Sequence, residues 1–208
     1  MLSPNVYYNF LFSSFQVFID FYIYFIGDVM NNGIHIIYPR SKYLTLNQAM
    51  LEFLENMICE FMNYAKEPIQ ENFTYTLDIS HDEYSFQDYL SVVFYVSFYT
   101  GGVHPEHRIV SLVYDISKDQ MITMQDLVSE KENLLSILSE ESRRILSNNP
   151  KITDSKLLVT GTSPDISNYQ IFSFVPTGIM IYFPEYQIAP YSSGAFKIVI
   201  PYTKIFEQ

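Results

Sequence analysis

The stretch YLSVVFYVSFY, Tyr89–Tyr99, decides the fold class because β-branched and aromatic side chains fill it almost without interruption. It predicts a buried strand. Upstream, residues 72–80 alternate apolar and polar, which predicts a second strand with one buried face. We expect these strands to pair as a hairpin across a polar turn at His81, Asp82 and Glu83. Residues 107–116 return as a third strand, so the centre of the chain predicts an antiparallel meander.

Two other stretches have a helical period. Apolar residues recur every three or four positions from Thr45 to about Lys66 and again over 132–147, which predicts two longer amphipathic helices. Thr45 is the expected N-cap of the first helix. Between the two helices, Thr123 and Asp126 have the spacing of a capping box, which predicts a short helix there.

The C-terminal part of the sequence predicts strands again, at 171–175, 179–183 and 195–200. Pro176 and Gly178 predict a tight turn between the first two, with Gly178 expected to supply a free backbone angle. The whole pattern indicates an α+β protein, with antiparallel β-sheets and two longer helices packed against them. The length allows one body or two closely packed subdomains.

The N-terminal stretch is aromatic and apolar and predicts strands at 7–12 and 15–26. A further strand is expected at 33–38, ended by Pro39. No Lys or Arg precedes Arg40, so the positive region of a secretory signal peptide is missing. Asp20 disfavours a membrane-spanning helix. We expect no membrane span and no convincing signal peptide, with an atypical targeting segment as the alternative.

The composition restricts the classes of partner. There are 12 Lys and Arg residues against 23 Asp and Glu residues, a formal net charge of -11. This charge repels nucleic acid phosphates and anionic lipid headgroups, so we expect neither nucleic acid nor a membrane surface as a partner. An acidic surface suits a cationic protein, although solubility alone explains the same excess.

The sequence offers few groups for metal or cofactor chemistry. It has four histidines without zinc-site spacing. Its one cysteine, Cys59, lies in the first predicted helix and is expected to be buried in the core. No phosphate-binding loop, dinucleotide motif or serine-hydrolase elbow is present, and we predict no metal and no cofactor. Carboxylates are abundant, so a glycosidase-like pair stays open, but no spacing selects one among several candidates: Asp115, Asp119, Asp126, Asp165 and Glu185.

Two blocks of sequence resemble a known family. The first comprises TGGVHP at 100–105 and SLVYDI at 111–116, leading to ITMQDL at 122–127. The second comprises FVPTGI at 174–179, YFPEYQIAPYSSG at 182–194 and IPY at 200–202. Together they are similar to the RsiV-type extracytoplasmic domain, which occurs in a lysozyme-sensing anti-sigma factor and as an accessory domain of peptidoglycan deacetylases. The likeness covers roughly residues 34–206.

The resemblance implies three regions: an aromatic extension at 1–29, an N-terminal α/β subdomain at 30–100 and a C-terminal α/β subdomain at 101–208. It implies an extracytoplasmic or cell-envelope location. It also implies a non-catalytic binding or sensing module whose partner is a cationic protein such as lysozyme, or cell-wall glycan. The alternatives are an enzyme that acts on peptidoglycan through paired carboxylates and a self-associating structural module.

The candidate ligand-binding residues lie in the two signatures. Tyr186 and Tyr191 flank a proline-containing loop, where exposed aromatic side chains are candidates for recognition. The other two candidates are Glu185 in the second block and His104 in the first. No catalytic residue is predicted. Because glycines and prolines usually encode backbone geometry, the signatures themselves have a structural explanation as well.

Overall fold

The computed structural model describes residues 18–26, 33–64 and 75–206, and the predicted strand at 7–12 lies outside these ranges. The protein is of the α+β class, with one six-stranded and one three-stranded sheet among its described residues. Its internal contacts form two compact units. The first comprises Met1–Asp82 and Phe94–Arg108, and the second comprises Glu83–Val93 and Ile109–Gln208. The predicted boundaries at 29/30 and 100/101 stay a prediction.

The larger sheet has its strands in sequence order: β1 Phe18–Ile26, β2 Gly33–Ser41, β3 Thr76–Phe86, β4 Tyr89–Tyr99, β5 Glu106–Asp115 and β6 Gln120–Ile122. The pairs β1–β2 and β5–β6 are antiparallel. The pair β2–β3 is parallel, since helix α1, Leu44–Tyr64, lies between these strands in sequence and returns the chain for a second pass in the same direction. The short β6 was not predicted, because three residues are too few to show an alternating pattern.

The hairpin prediction was right about its strands and wrong about its turn. His81, Asp82 and Glu83 lie inside β3, and the two-residue turn is at Gln87 and Asp88, with Gln87 at φ 52°. The polar groups of β3 find partners across the sheet: His81 Nδ1 lies 3.0 Å from the Ile37 carbonyl, and Asp82 accepts a hydrogen bond from the Tyr95 hydroxyl. The turn was missed because no glycine marks it.

Two predicted boundaries near α1 are also wrong. Strand β2 continues through Pro39 to Ser41, because Pro39 lies beyond the segment Gly33–Ile36 that pairs with β3 and needs to donate no hydrogen bond on that side. Thr45 is not the N-cap, since α1 begins at Leu44. The entry to α1 is held instead by Asn47, whose side chain bonds both the amide and the carbonyl of Ser41 at 2.8 Å.

The core of the first unit lies against one face of α1. The buried residues of the helix are Leu46, Met50, Leu54 and Phe61. Phe61 meets the ring of Phe98 edge-on at 5.6 Å. The expectation that Cys59 is buried is wrong, and its side chain is exposed. Cys59 lies five residues after the buried Leu54, and at about 100° per residue its side chain leaves the helix about 140° away from that of Leu54.

The second unit holds an antiparallel sheet of β7 Phe172–Val175, β8 Gly178–Phe183 and β9 Phe196–Pro201. Its helices are α2 Met124–Glu130, α3 Leu134–Leu146, α4 Ser155–Gly161 and α5 Tyr202–Phe206. The predicted capping box of Thr123 and Asp126 is confirmed at the start of α2. Helices α4 and α5 were missed, because so few turns give no readable hydrophobic period.

The turn between β7 and β8 is confirmed, but the reason given for Gly178 is wrong. Its φ is not positive. A Cβ at this position would lie 2.1 Å from the carbonyl oxygen of Ile200 on β9, so glycine is required by the close approach of two backbones. Among the described helices, none is both long enough and apolar enough to cross a membrane.

Candidate functional site

The loop between β8 and β9, residues 184–194, presents two of the predicted residues on the surface of the second unit. Tyr186 is 62% exposed and has φ 68°, which is left-handed backbone that a tyrosine rarely adopts. This conformation costs roughly 1–2 kcal/mol. The rest of the fold must therefore hold the loop in place, and strained loops of this kind are typical of binding sites.

Anchors on both sides of Tyr186 hold the loop. The Gln187 side-chain amide donates hydrogen bonds to the carbonyls of Gly161 at 2.9 Å and Asn168 at 3.0 Å. Ile188 and Ala189 are fully buried. Gly161 is necessary for this contact, because a Cβ there would lie 2.0 Å from the Gln187 carbonyl oxygen. The loop is thus fixed before any ligand arrives.

The rings of Tyr186 and Tyr191 form a pair, with centroids 5.6 Å apart and planes inclined by 33°. Partial desolvation and the negative charge of Glu185 raise the pKa of Tyr191, so its hydroxyl stays protonated and can donate a hydrogen bond at neutral pH. The structure therefore brings three of the predicted residues together. The loop offers aromatic faces, phenol hydroxyls and one carboxylate to a ligand.

His104 belongs to the other compact unit. It is exposed in the bend before β5, and its Nδ1 lies 3.0 Å from the Pro105 carbonyl oxygen. A binding role for His104, like that of the loop residues, stays a prediction. In the described ranges no group of three His, Cys, Asp or Glu side chains could hold a metal ion.

Most of the candidate carboxylates have structural partners. Asp119 accepts a hydrogen bond from the buried Tyr114 hydroxyl at 2.7 Å. Asp126 is part of the capping box of α2, and Asp165 caps the following 3-10 helix through Ser167. Asp115 bonds the turn that follows β5. These contacts account for four of the acidic residues without a catalytic role.

A pocket in the second unit was not foreseen from the sequence. Its volume is about 580 Å³, in the range of small-molecule sites. It lies beside the Gln87–Asp88 turn, between α2 and α5, and we name it the aromatic pocket after the rings that line it: Phe86, Tyr89, Phe174, Tyr202 and Phe206. One signal was available, since Tyr202 and Phe206 are four residues apart and share a face if that segment is helical.

Comparison with known proteins finds a family model that matches the part of the chain holding the loop 184–194 and much of the pocket lining. Residues 125–203 match the model of a family described as "Protein of unknown function (DUF3298)". The matched residues contain α3, the three-stranded sheet, the loop 184–194 and all of α2 except its first residue.

One curated relative is a protein named for peptidoglycan chemistry. The chain is 29% identical over 179 residues, 84% of its length, to the peptidoglycan-N-acetylmuramic acid deacetylase PdaC of Bacillus subtilis. It spans 38% of the length of that protein. The expected likeness to a domain found in peptidoglycan deacetylases is confirmed, and the narrower RsiV-type assignment stays a prediction.

Two solved structures of DUF3298 family proteins share the fold. One, from Pseudomonas aeruginosa, has a TM-score of 0.67 at 13% identity and covers 91% of this chain and 93% of its own. The other, from Bacteroides fragilis, has a TM-score of 0.56 at 20% identity and covers 99% of this chain and 93% of its own. At these identities the likeness concerns the fold alone.

Proposed function

We propose that this chain is a non-catalytic, extracytoplasmic binding module of the cell envelope, which recognises peptidoglycan glycan through the loop 184–194. The observation that carries the proposal is the similarity of 84% of the chain to part of a protein named for deacetylating peptidoglycan. The shared part corresponds to 38% of that protein, so it is a portion to which a substrate-holding role can be assigned.

The chemistry of the loop suits a sugar. A pyranose ring has an apolar C–H face that packs on the electron-rich face of an aromatic ring, and its hydroxyls need hydrogen-bond partners. Tyr186 and Tyr191 provide both. The anchoring of the loop by Gln187 and Ile188 lowers the entropy that would otherwise be lost on binding.

The charge of the loop favours a glycan over a cationic protein. In the sequence PEYQIAPYSSG, Glu185 is the single formally charged residue. Hydrogen-bonding and stacking groups therefore dominate this surface, and they match a neutral glycan better than the basic surface of a lysozyme. The overall net charge of -11 is then explained by solubility.

The test is co-sedimentation of the purified chain with insoluble peptidoglycan, followed by calorimetry with soluble glycan fragments. We expect Tyr186→Ala and Tyr191→Ala each to weaken binding roughly tenfold, because aromatic contacts of this kind are worth about 1 kcal/mol or more. Tyr64→Ala is the matched control, since Tyr64 is 52% exposed on α1 in the other unit. Its affinity for glycan should equal that of the wild type.

Three outcomes would overturn the proposal. Full retention by the Tyr186→Ala and Tyr191→Ala double variant would exclude the loop. Saturable binding to a C-type lysozyme without any binding to glycan would favour the cationic-protein hypothesis. Mass spectrometry that detects cleaved or deacetylated glycan after incubation with the pure chain would replace a binding module with an enzyme.

A further inference from the structure

The aromatic pocket has walls fixed by ring stacking. Phe86 stacks on Tyr202 with centroids 5.0 Å apart, and Tyr89 stacks on Phe174 at 4.2 Å. Tyr202 is held further by the hydrogen bond from its hydroxyl to the Val175 carbonyl at 3.0 Å. Burial raises the pKa of Tyr202, so this donor stays protonated. Such walls keep their shape without a ligand and favour an apolar body inside.

Besides Tyr202, four residues of the lining carry polar side chains: Gln87, Tyr89, Glu130 and Lys131. Glu130 pairs with Lys118 Nζ at 3.3 Å. The side chains of Gln87, Tyr89 and Lys131 have no ion pair or hydrogen bond within the part of the chain that the structure describes. All three can donate hydrogen bonds. With the Glu130 carboxylate paired to Lys118, the remaining polar side chains of the lining suit a hydrogen-bond acceptor, and Lys131 favours an anionic one.

The neighbouring carboxylates do not neutralise Lys131 through a direct pair. Glu130 lies 3.3 Å from Lys118 Nζ, and Asp115 lies 3.7 Å from the same atom. Lys118 thus serves both acidic groups and leaves the Lys131 ammonium available to a ligand.

We propose that the aromatic pocket binds a small anionic amphiphile, whose apolar body lies against the stacked rings and whose carboxylate or phosphate head pairs with Lys131. No residue of the glycan-binding loop lines this pocket. The two sites can therefore succeed or fail independently.

The experiment is calorimetric titration of the full chain with dodecanoate and dodecyl phosphate below their micellar concentrations, and with dodecanol and dodecyltrimethylammonium as neutral and cationic analogues. We expect both anions to bind more tightly than dodecanol, and dodecanol more tightly than the cation. Lys131→Met keeps the aliphatic stem and removes the charge. It should therefore weaken the binding of both anions about tenfold and leave the affinity for dodecanol unchanged. Lys151→Met, at an exposed lysine outside the pocket, is the matched control.

A second variant tests the apolar body. Phe206 is 68% exposed, so the Phe206→Ala variant should fold normally and bind all four ligands more weakly. Leu44 is 70% exposed, and the Leu44→Ala variant should bind all four with unchanged affinity. Tyr186→Ala should leave dodecanoate binding unchanged. Equal affinities for dodecanol and the anions, no effect of Lys131→Met on the anions, or no binding of any ligand would overturn the proposal. Preference between the two anions identifies the head group.

Discussion

Asp115 illustrates how a motif residue that resembles a catalytic acid can be structural. Its side chain is 2% exposed and accepts hydrogen bonds from the Ser117 hydroxyl at 2.6 Å and the Lys118 amide at 3.1 Å. Burial alone would raise its pKa, but these hydrogen bonds and the charge of Lys118 outweigh burial and lower it. The adjacent Tyr114 is buried and bonded to Asp119, so the Tyr-Asp signature encodes a turn.

This arrangement predicts a specific pH dependence. A carboxylate whose pKa is lower in the folded state stabilises the fold above the unfolded pKa of about 3.9, and that contribution is lost as the pH falls through the folded value. Asp115→Asn should lower the free energy of unfolding by about 1–3 kcal/mol at neutral pH. The difference from wild type should stay constant down to about pH 5 and shrink below about pH 4.

Urea unfolding at several pH values measures this difference. Asp88→Asn, at an exposed carboxylate in the neighbouring hairpin turn, is the control and should change stability little at any pH. A difference for Asp115→Asn that grows as the solution becomes more acidic would contradict the assignment.

The pairing of β8 with β9 depends on one glycine. Gly178 is opposite Pro201 in the register. The Ile200 carbonyl lies so close to the Gly178 Cα that it leaves no room for a methyl group there. The sequence predicted a glycine required by the turn, whereas the structure shows that glycine is required by the close approach of the β9 backbone. Local turn rules do not contain the distance to a third strand.

Gly178→Ala should destabilise the protein by roughly 1–3 kcal/mol, the usual range for overpacking, because backbone rather than a flexible side chain must move. The control is Gly33→Ala in β2, where the nearest atom to the new Cβ would be Thr76 Cγ2 at 3.8 Å, an ordinary contact. Urea midpoints measure both variants. Equal losses of stability would mean that the Ile200 contact is not the cause.

The whole molecule carries a net charge of -11, which bears on the choice of partner. If the module binds neutral glycan through its loop, raising the salt concentration from about 0.05 to 0.5 M should change the affinity less than roughly twofold, because no ion pair is screened. A cationic partner would instead lose affinity steeply over the same range. Parallel titrations with glycan fragments and with lysozyme provide the comparison, and a steep salt dependence for glycan would contradict a neutral binding surface.

The amino-acid sequence by itself determined the α+β class, the strand Tyr89–Tyr99, both longer helices and the capping box at Thr123. These features depend on periodicity and short-range hydrogen bonds, which neighbouring residues contain in full. It also singled out Tyr186 and Tyr191, because aromatic residues beside a loop proline are visible locally.

Only the tertiary structure decided the rest. Gln87 became the hairpin turn because His81 and Asp82 found partners on other strands, and the aromatic pocket arose where segments distant in sequence meet. The anchoring of the loop by Gln187 likewise depends on the carbonyls of Gly161 and Asn168. Such contacts are set by which segments pack together, and that information is absent from any local window of the sequence.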